Sequence, residues 1–472
     1  MLLTFRVSNF RSYRDEQEFS FVHGTEPFSL PLHTPGTLQQ DGAPWPWFPN
    51  VGTVAGVFGP NASGKSNLIK ALRFMRRAVV QSHRNWQSKK IPFEPFKLDL
   101  DYQDKPSLFE VTFFINNTRY QYGFRLSPAR IESEWLYAYR TNRRQIWFER
   151  EADADDEYYF GKMLSGRNKV IADLTRSDTL FLSSAAANNH RQLDIVHHWI
   201  STHLRDVSPD DRSARVSYTR SMSDNRERWD QVTALMQFAD LGICDARVRE
   251  GVRSDADRDR LLRVLAAARD TGQPDNGSEA EAVKTLAQVR NILEFGHSSG
   301  GDSDPIYLPF ADESLGTQAW FSLIGPVIRA IGTGDTLMVD ELDASLHPQL
   351  TSEVLKIFWD PERNPKQAQL LFTTHDTSLL GRLLDGAELA RDQVWFTEKA
   401  RDGSSTLYPL TDFGPRRSEN LERGYLQGRY GAVPYLDEKI LERLISPTAS
   451  TEGYDHSAPG SDSEAEQEDI EP

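Results

Sequence analysis

The stretch that most constrains this chain is Val54-Ala-Gly-Val-Phe-Gly-Pro-Asn-Ala-Ser-Gly-Lys-Ser66. An apolar run from Val51 to Phe58 reads as a buried strand, and Asn67 to Arg76 reads as a helix. Between them stands Gly59-x-x-x-x-Gly64-Lys65-Ser66, in the strand–loop–helix setting that a phosphate-binding loop requires. The chemistry fixes the residue types. Glycines at 59 and 64 let the loop through Pro60, Asn61, Ala62 and Ser63 curl until its N–H groups face phosphate oxygens. The helix that opens near Gly64, through Ser66 and Asn67, adds the positive end of its dipole. Lys65 brings a full charge to the β- and γ-phosphates, and the Ser66 hydroxyl can ligate Mg²⁺. The bland alternative is a glycine-rich turn that binds nothing; intact flanks on both sides favour a nucleotide.

The second signal is Thr336-Leu-Met-Val-Asp340-Glu341, an apolar strand that ends in two acids. Ligands bind at the carboxyl ends of strands in α/β sheets. Asp340 is therefore expected in the Mg²⁺ shell, with Glu341 orienting or deprotonating the attacking water. An acid pair after a strand is more often just the start of a helix, but a P-loop elsewhere in the chain reverses that weighting.

At 472 residues the chain is long enough for two domains, or for one domain with an insertion. Its net charge of −15 is partly local, since the tail from Glu452 holds many acids and no Lys or Arg. That tail reads as disordered. A single cysteine, Cys244, rules out an internal disulfide and points to a reducing compartment. No apolar run approaches the ~20 residues that span a bilayer. A cytoplasmic protein with no membrane partner is expected.

Residues 2–8 and 17–22 alternate as strands around a polar turn, and 23–50 read as a surface loop. Segments 109–115, 119–125 and 131–139 have period-two patterning, with Asn116-Asn117 as a hairpin turn. Ser183 to Leu204, Trp229 to Leu241, Arg258 to Arg269 and Glu279 to Leu293 read as helices, whereas Asp206 to Arg228 and Asp270 to Ser278 read as polar, mobile connections. No sustained heptad run argues for a coiled-coil arm. After 335 the chain returns to alternating strands and helices. The expected organisation is an N-terminal core part over 1–177, a helical insertion lobe over 178–300, a C-terminal core part over 301–446 and an acidic tail over 447–472.

Four segments in order carry a family resemblance. Besides the P-loop, Asp340-Glu-Leu-Asp-Ala-Ser-Leu-His-Pro348 resembles the Walker B segment and D-loop of the ABC-type ATPases, a class that includes the SMC-like repair ATPases. Glu313-Ser-Leu-Gly-Thr-Gln318 resembles their signature segment, and Phe372-Thr-Thr-His375-Asp376 their switch histidine. More narrowly, Ser8-Asn-Phe-Arg-Ser12, Pro95-Phe-Lys-Leu98, Tyr122-Gly-Phe124, Phe181-Leu-Ser183 and Tyr425-Leu-Gln-Gly-Arg-Tyr-Gly431 resemble the stand-alone bacterial ATP-binding proteins of AAA15/AAA21 type, RloA-like ATPases among them. The resemblance implies an α/β fold: an ABC-type P-loop core with mixed and parallel sheet, flanking helices and an antiparallel β subdomain. It implies that Arg11 and Ser12 lie near the nucleotide, that His375 senses the γ-phosphate, and that Ser314 and Gly316 reach it across a dimer. Thr317 stands where the usual signature has its second glycine. The cofactors implied are ATP and Mg²⁺. Neither Gln121 nor Gln103 stands out as the Q-loop glutamine.

One P-loop and one signature per chain imply a homodimer, or a higher even oligomer, that sandwiches two ATP molecules. The proteins resembled are commonly encoded beside a nuclease or toxin, and only about a hundred residues follow His375, too few for a fused Toprim-type nuclease. A separately encoded effector in anti-phage defence is the leading expectation. An SMC-like DNA repair or maintenance ATPase is the alternative, with nucleic acid as a further candidate partner. Arg191-Gln-Leu-Asp-Ile-Val-His197 matches a short ribonuclease spacing, but His197 and His198 on an amphipathic helix read first as packing or surface residues. His190, His197, His198 and Cys244 lack zinc-ligand spacing.

Overall fold

The computed structural model describes residues 1–22, 50–86, 91–141, 143–208, 211–239, 242–250, 291–298, 304–381, 388–416 and 418–434. Alternation of buried Leu3, Phe5 and Val7 with half-buried Thr4 and Arg6 makes Leu2–Ser8 a strand, β1, paired antiparallel with β2 at Gln17–Ser20. The strand β3, Val54–Phe58, is buried at all five positions, the mark of a strand covered on both faces. It feeds α1, Lys65–Asn85, and the short α2, Leu100–Gln103, follows. Next come β4 (Ser107–Ile115), β5 (Thr118–Leu126), β6 (Ile131–Tyr139), β7 (Gln145–Glu151) and β8 (Tyr158–Phe160). With β1 and β2 they form a seven-stranded antiparallel sheet in the order β2-β1-β4-β5-β6-β7-β8. Asn116 and Asn117, at φ 47° and 59°, form the two-residue hairpin turn read from the sequence.

The middle of the chain holds α3 (Asn168–Asp173), α4 (Phe181–Ala187), α5 (Arg191–His203), β9 (Leu204–Val207), α6 (Arg212–Ser221), α7 (Arg226–Phe238), β10 (Ile243–Glu250), β11 (Asn291–His297) and β12 (Ile306–Pro309). The last third holds α8 (Leu315–Thr333), β13 (Thr336–Val339), α9 (Pro348–Trp359), β14 (Gln369–Thr373), β15 (Val394–Lys399), β16 (Ser405–Pro409) and α10 (Leu421–Leu426). A second, six-stranded sheet runs β16-β15-β3-β14-β13-β9, parallel except for the β15–β16 hairpin. Its residues divide cleanly by face. Ala55, Val57, Leu204, Met338 and Leu371 join the core shared with α1 and the antiparallel sheet. Val54, Phe58, Val207, Leu337, Val339, Leu370 and Phe372 join the core beneath α8 and α9. Because β3, β13, β14 and β15 are parallel, the loops that follow them emerge at one end of the sheet. This is the expected ABC-type α/β core with an antiparallel subdomain, and contacts group Met1–Val433 as one compact unit.

The insertion is not the purely helical lobe expected from the sequence. It holds α4 to α7, but it also supplies β9 to the central sheet, and β10 and β11 to a separate antiparallel sheet completed by β12. The sequence Leu-Arg-Asp-Val of β9 is too short and too charged at its centre to announce a strand; register with β13 makes it one. In β11, Glu294 is buried between Leu293 and Phe295, where Arg247 and Arg249 of β10 pair with it, a burial that only the partner strand explains. The segment expected to be mobile contains α6, which docks on α8 where Thr219 meets Gly325. The loop 23–49, the helix expected at 258–269, the start of the one expected at 279–293 and the acidic tail lie outside the described residues.

Candidate functional site

Lys65 is the centre of the site. It is only 6% exposed, and its Nζ donates to the carbonyls of Gly59 (2.7 Å) and Pro60 (3.1 Å) at the mouth of the loop. The loop is locally strained in the way a phosphate cradle requires. Gly59, Ala62 and Gly64 all have positive φ, and a Cβ on Gly59 would strike the backbone of Thr397, while one on Gly64 would crowd Ser405 and Ser12. Ser63 Oγ is 2.6 Å from Thr397 Oγ1, so β15 braces the loop from the side. From the front the turn after β1 braces it: Tyr13 donates to the Gly64 carbonyl at 3.0 Å, and Asn67 Nδ2 donates to Ser12 Oγ at 2.7 Å.

The pocket above the loop, about 340 Å³, is lined by Ser12, by Asn61 through Asn67, and by Lys70, Glu341, His375 and Lys399. Burial pushes the Lys65 ammonium down to about 8, against the pull of Glu341, Asp340 and Asp343. Burial also lowers His375, and the charge of Lys65 adds to that.

Thr373, fully buried at the end of β14, holds the two acids in place. Its hydroxyl donates to Asp340 Oδ1 at 2.7 Å and accepts from the Glu341 N–H at 2.8 Å, while its carbonyl accepts from Leu342 N–H at 3.0 Å. Glu341 sits at φ 56°, a left-handed conformation that a non-glycine residue adopts at a cost and that Thr373 fixes. The backbone N–H of His375 faces the Asp343 carboxylate at 3.4 Å. Ser66 lines the pocket, and Asp340, held by Thr373, directly precedes Glu341 of its lining; a hydroxyl and a carboxylate are donor types that Mg²⁺ combines with phosphate oxygens.

The structure separates the remaining sequence-derived residues from this pocket. Ser314 caps α8, accepting from Thr317 N–H at 3.1 Å, and Thr317 is 3% exposed with its hydroxyl on Ser314. Gly316 faces the Ser345 carbonyl in the loop after Glu341. None of Ser314, Gly316 and Thr317 lines the Lys65 pocket, whereas the neighbouring Leu315 is 65% exposed. Arg11 also lies off the pocket, its guanidinium paired with Glu94 at 2.6 Å. Gln121 is held between Glu110 and Tyr139 on the antiparallel sheet, and Gln103 bonds the Lys97 carbonyl, so neither reaches the loop. His190 caps α5 and His197 bonds back to the Val79 backbone; both act in packing.

Lys70, Lys399 and the Thr373 clamp were not legible in the motifs. Lys70 lies one turn beyond Ser66 and Asn67 on the same face of α1, a helical spacing that offers a signal. For Lys399 the only clue is that β15 runs parallel to β3, with Phe396 opposite Phe58.

The fold, with the Gly59–Ser66 loop at the end of β3, is that of a P-loop ATPase with an ABC-type core. Residues 54–381, well over half of the chain, match the family profile described as “AAA domain, putative AbiEii toxin, Type IV TA system”, and the chain belongs to that family. Among solved structures it is similar to the SMC head domain from Thermotoga maritima, at 12% identity and TM-score 0.36, covering 86% of this chain and 98% of that one. It is also similar to an Smc head bound to the C-winged helix domain of ScpA, at 13% identity and TM-score 0.37 over 86% and 96% of the two chains. A third is the Smc head domain with a coiled coil and joint from Pyrococcus yayanosii, at 10% identity and TM-score 0.36 over 91% and 99%. Among curated proteins none matches the chain. Among the described residues no helix is long and apolar enough to cross a membrane.

Proposed function

We propose that two copies of this chain clamp two ATP molecules between them, and that hydrolysis releases the clamp. The observation that carries this reading is the split described above. The Lys65 pocket gathers the P-loop, Glu341 and His375, while the Ser314 cap, with Leu315 exposed beside it, lies elsewhere on the same chain. A signature segment from a second copy would complete the pocket. In this reading the phosphates take over Lys65 from the carbonyls of Gly59 and Pro60, and the N–H groups of the loop and of the α1 terminus receive the remaining oxygens. Ser66 and Asp340 would hold Mg²⁺, which would supply neutralisation of phosphate charge. Glu341, fixed by Thr373, accepts a proton from the attacking water, and His375 reads the γ-phosphate. Ser314 and Gly316 close the site from the partner, with Thr317 stabilising the cap. Arg11 has a role near the nucleotide only if its pair with Glu94 opens.

Complementation tests the shared site. Lys65→Ala and Gly316→Trp chains should each be inactive alone, and a mixture should regain activity because one site of the heterodimer has an intact loop and an intact signature. Failure of the mixture to recover any ATPase activity, with both chains folded, would mean that the site is completed within one chain.

Two readings of what the cycle serves share this machine. The family description, with its toxin–antitoxin wording, supports an anti-phage defence ATPase of RloA-like kind that holds or activates a separately encoded nuclease or toxin. The SMC-like DNA repair or maintenance reading stands at least level with it, since the ABC-type core with its antiparallel subdomain suits either. They divide on one measurement: duplex DNA should stimulate ATP turnover by the purified dimer in the second reading and leave it unchanged in the first.

A further inference from the structure

We propose that the cleft between β9, α6 and α8 binds a small phosphate-bearing molecule with an apolar or aromatic body, at a site separate from the P-loop. The cleft measures about 320 Å³, a volume suited to a mononucleotide-sized ligand. Its walls include Val207, Pro326 and Leu337, with the ring of Tyr218, and its positively charged groups are Arg205, Arg215 and Arg329. The fold builds it deliberately. The Gly325-Pro326 step in α8 brings α6 into close contact through Thr219, and β9 is an edge strand, so nothing in the sheet covers this corner.

The arginines are present in excess of their partners. Arg205 Nε donates to the Thr202 carbonyl at the end of α5 (2.8 Å), and no carboxylate pairs with Arg205 among the described residues. Arg215 Nε is buried with no hydrogen-bond partner. Arg329 reaches Asp335 at 3.3 Å. Behind them Arg76, on α1, donates to the Ser201 carbonyl at 3.0 Å. The two acids at the cleft, Asp206 and Asp211, both face Arg73, at 2.6 and 3.6 Å, and so are already committed. Burial, followed by the charges of Arg329 and Arg76, lowers the Arg205 pKa; burial and then Arg212 lower that of Arg215. Cations crowded where they are poorly solvated, over apolar walls, are what a phosphate group with a hydrophobic body would relieve. A nucleic-acid backbone fits less well. It needs a track of cations that follows successive phosphates, and these three arginines converge on one concave spot in a chain of net charge −15.

Equilibrium dialysis of the full chain with radiolabelled AMP, and separately with inorganic phosphate, tests this in a Lys65→Ala background that silences the P-loop. We expect one AMP per chain to remain bound, and Arg205→Ala/Arg215→Ala to weaken it roughly tenfold or more. The same double variant with Lys65 intact should bind Mg-ATP as the parent does. Arg215→Ala alone, which breaks no hydrogen bond at Nε, keeps the test decisive if the double variant does not fold. No AMP or phosphate binding in the Lys65→Ala chain, or binding indifferent to Arg215, would overturn the proposal. So would arginine-dependent capture of a 30-nucleotide oligonucleotide with no AMP bound, which would make the corner a nucleic-acid contact.

Discussion

Replacing Thr373 with valine should disarm the ATPase while leaving its pocket formed. The side chains are nearly the same size, so the buried site keeps its packing, but the hydroxyl is lost. With it go the donor to Asp340 Oδ1 at 2.7 Å and the acceptor for the Glu341 N–H at 2.8 Å. A hydrogen bond to a charged group contributes roughly 1.5–3 kcal/mol, and an unpaired N–H costs roughly 1–3 kcal/mol when buried. Glu341 is exposed, so water can relieve part of the second loss. A combined cost of about 2–4 kcal/mol follows, divided between stability and the placing of the acids. If half of it falls on the transition state, kcat drops about 5–30-fold, while the ATP dissociation constant, set mainly by the P-loop, changes little. Steady-state ATPase assays alongside fluorescent-nucleotide titration read both numbers. Thr373→Ser, which restores the hydroxyl, should recover most of kcat. A valine variant with unchanged kcat and only a lowered melting temperature would show that the clamp serves folding alone.

Glu341→Gln should reduce turnover by roughly 10²–10⁴-fold, the range typical of a lost general base, and accumulate an ATP-dependent dimer measurable by light scattering. Because burial lowers Lys65 to about 8 in the free chain and bound phosphates favour its charged form, Mg-ATP affinity should fall as pH rises above about 8, approaching tenfold per unit; Lys65→Met should bind weakly at every pH and remove the slope. The same depression makes the unfolded chain hold more protons between about pH 8 and the ordinary lysine value, so this group's contribution to stability rises with pH across that window, as thermal melts of parent and Met variant can show. Gly325→Ala should destabilise by about 1–3 kcal/mol, since the new methyl strikes Thr219, a β-branched residue that cannot swing clear, and calorimetry would report it.

Local signals were legible wherever the chemistry is contiguous. The loop from Gly59 to Ser66 and the strand into Asp340 and Glu341 are each written in fewer than ten residues, and both emerge at the same end of the sheet. The Asn116-Asn117 turn and the Gln369–Thr373 strand were equally plain. What escaped depends on partners far along the chain. Thr373 reads as an ordinary strand end until β13 lies beside it. Lys399 reaches the pocket through a pairing that joins Phe58 to Phe396. The strand β9 arises only by pairing with β13, and the arginine corner only when α6 docks on α8; neither contact leaves a periodic trace.

The order of the six-stranded sheet has a consequence for how the chain is made. The P-loop strand β3 is flanked on one side by β14 and on the other by β15, segments synthesised more than three hundred residues later. Ser63 finds its brace on Thr397 only after that synthesis. A nascent chain that has exposed Gly59 to Ser66 therefore carries the motif without the site, its apolar Val54–Phe58 unpaired and open to wrong associations. The loop is fully braced only once the β15–β16 hairpin has left the ribosome, so its final geometry forms late, when nearly the whole core has been delivered.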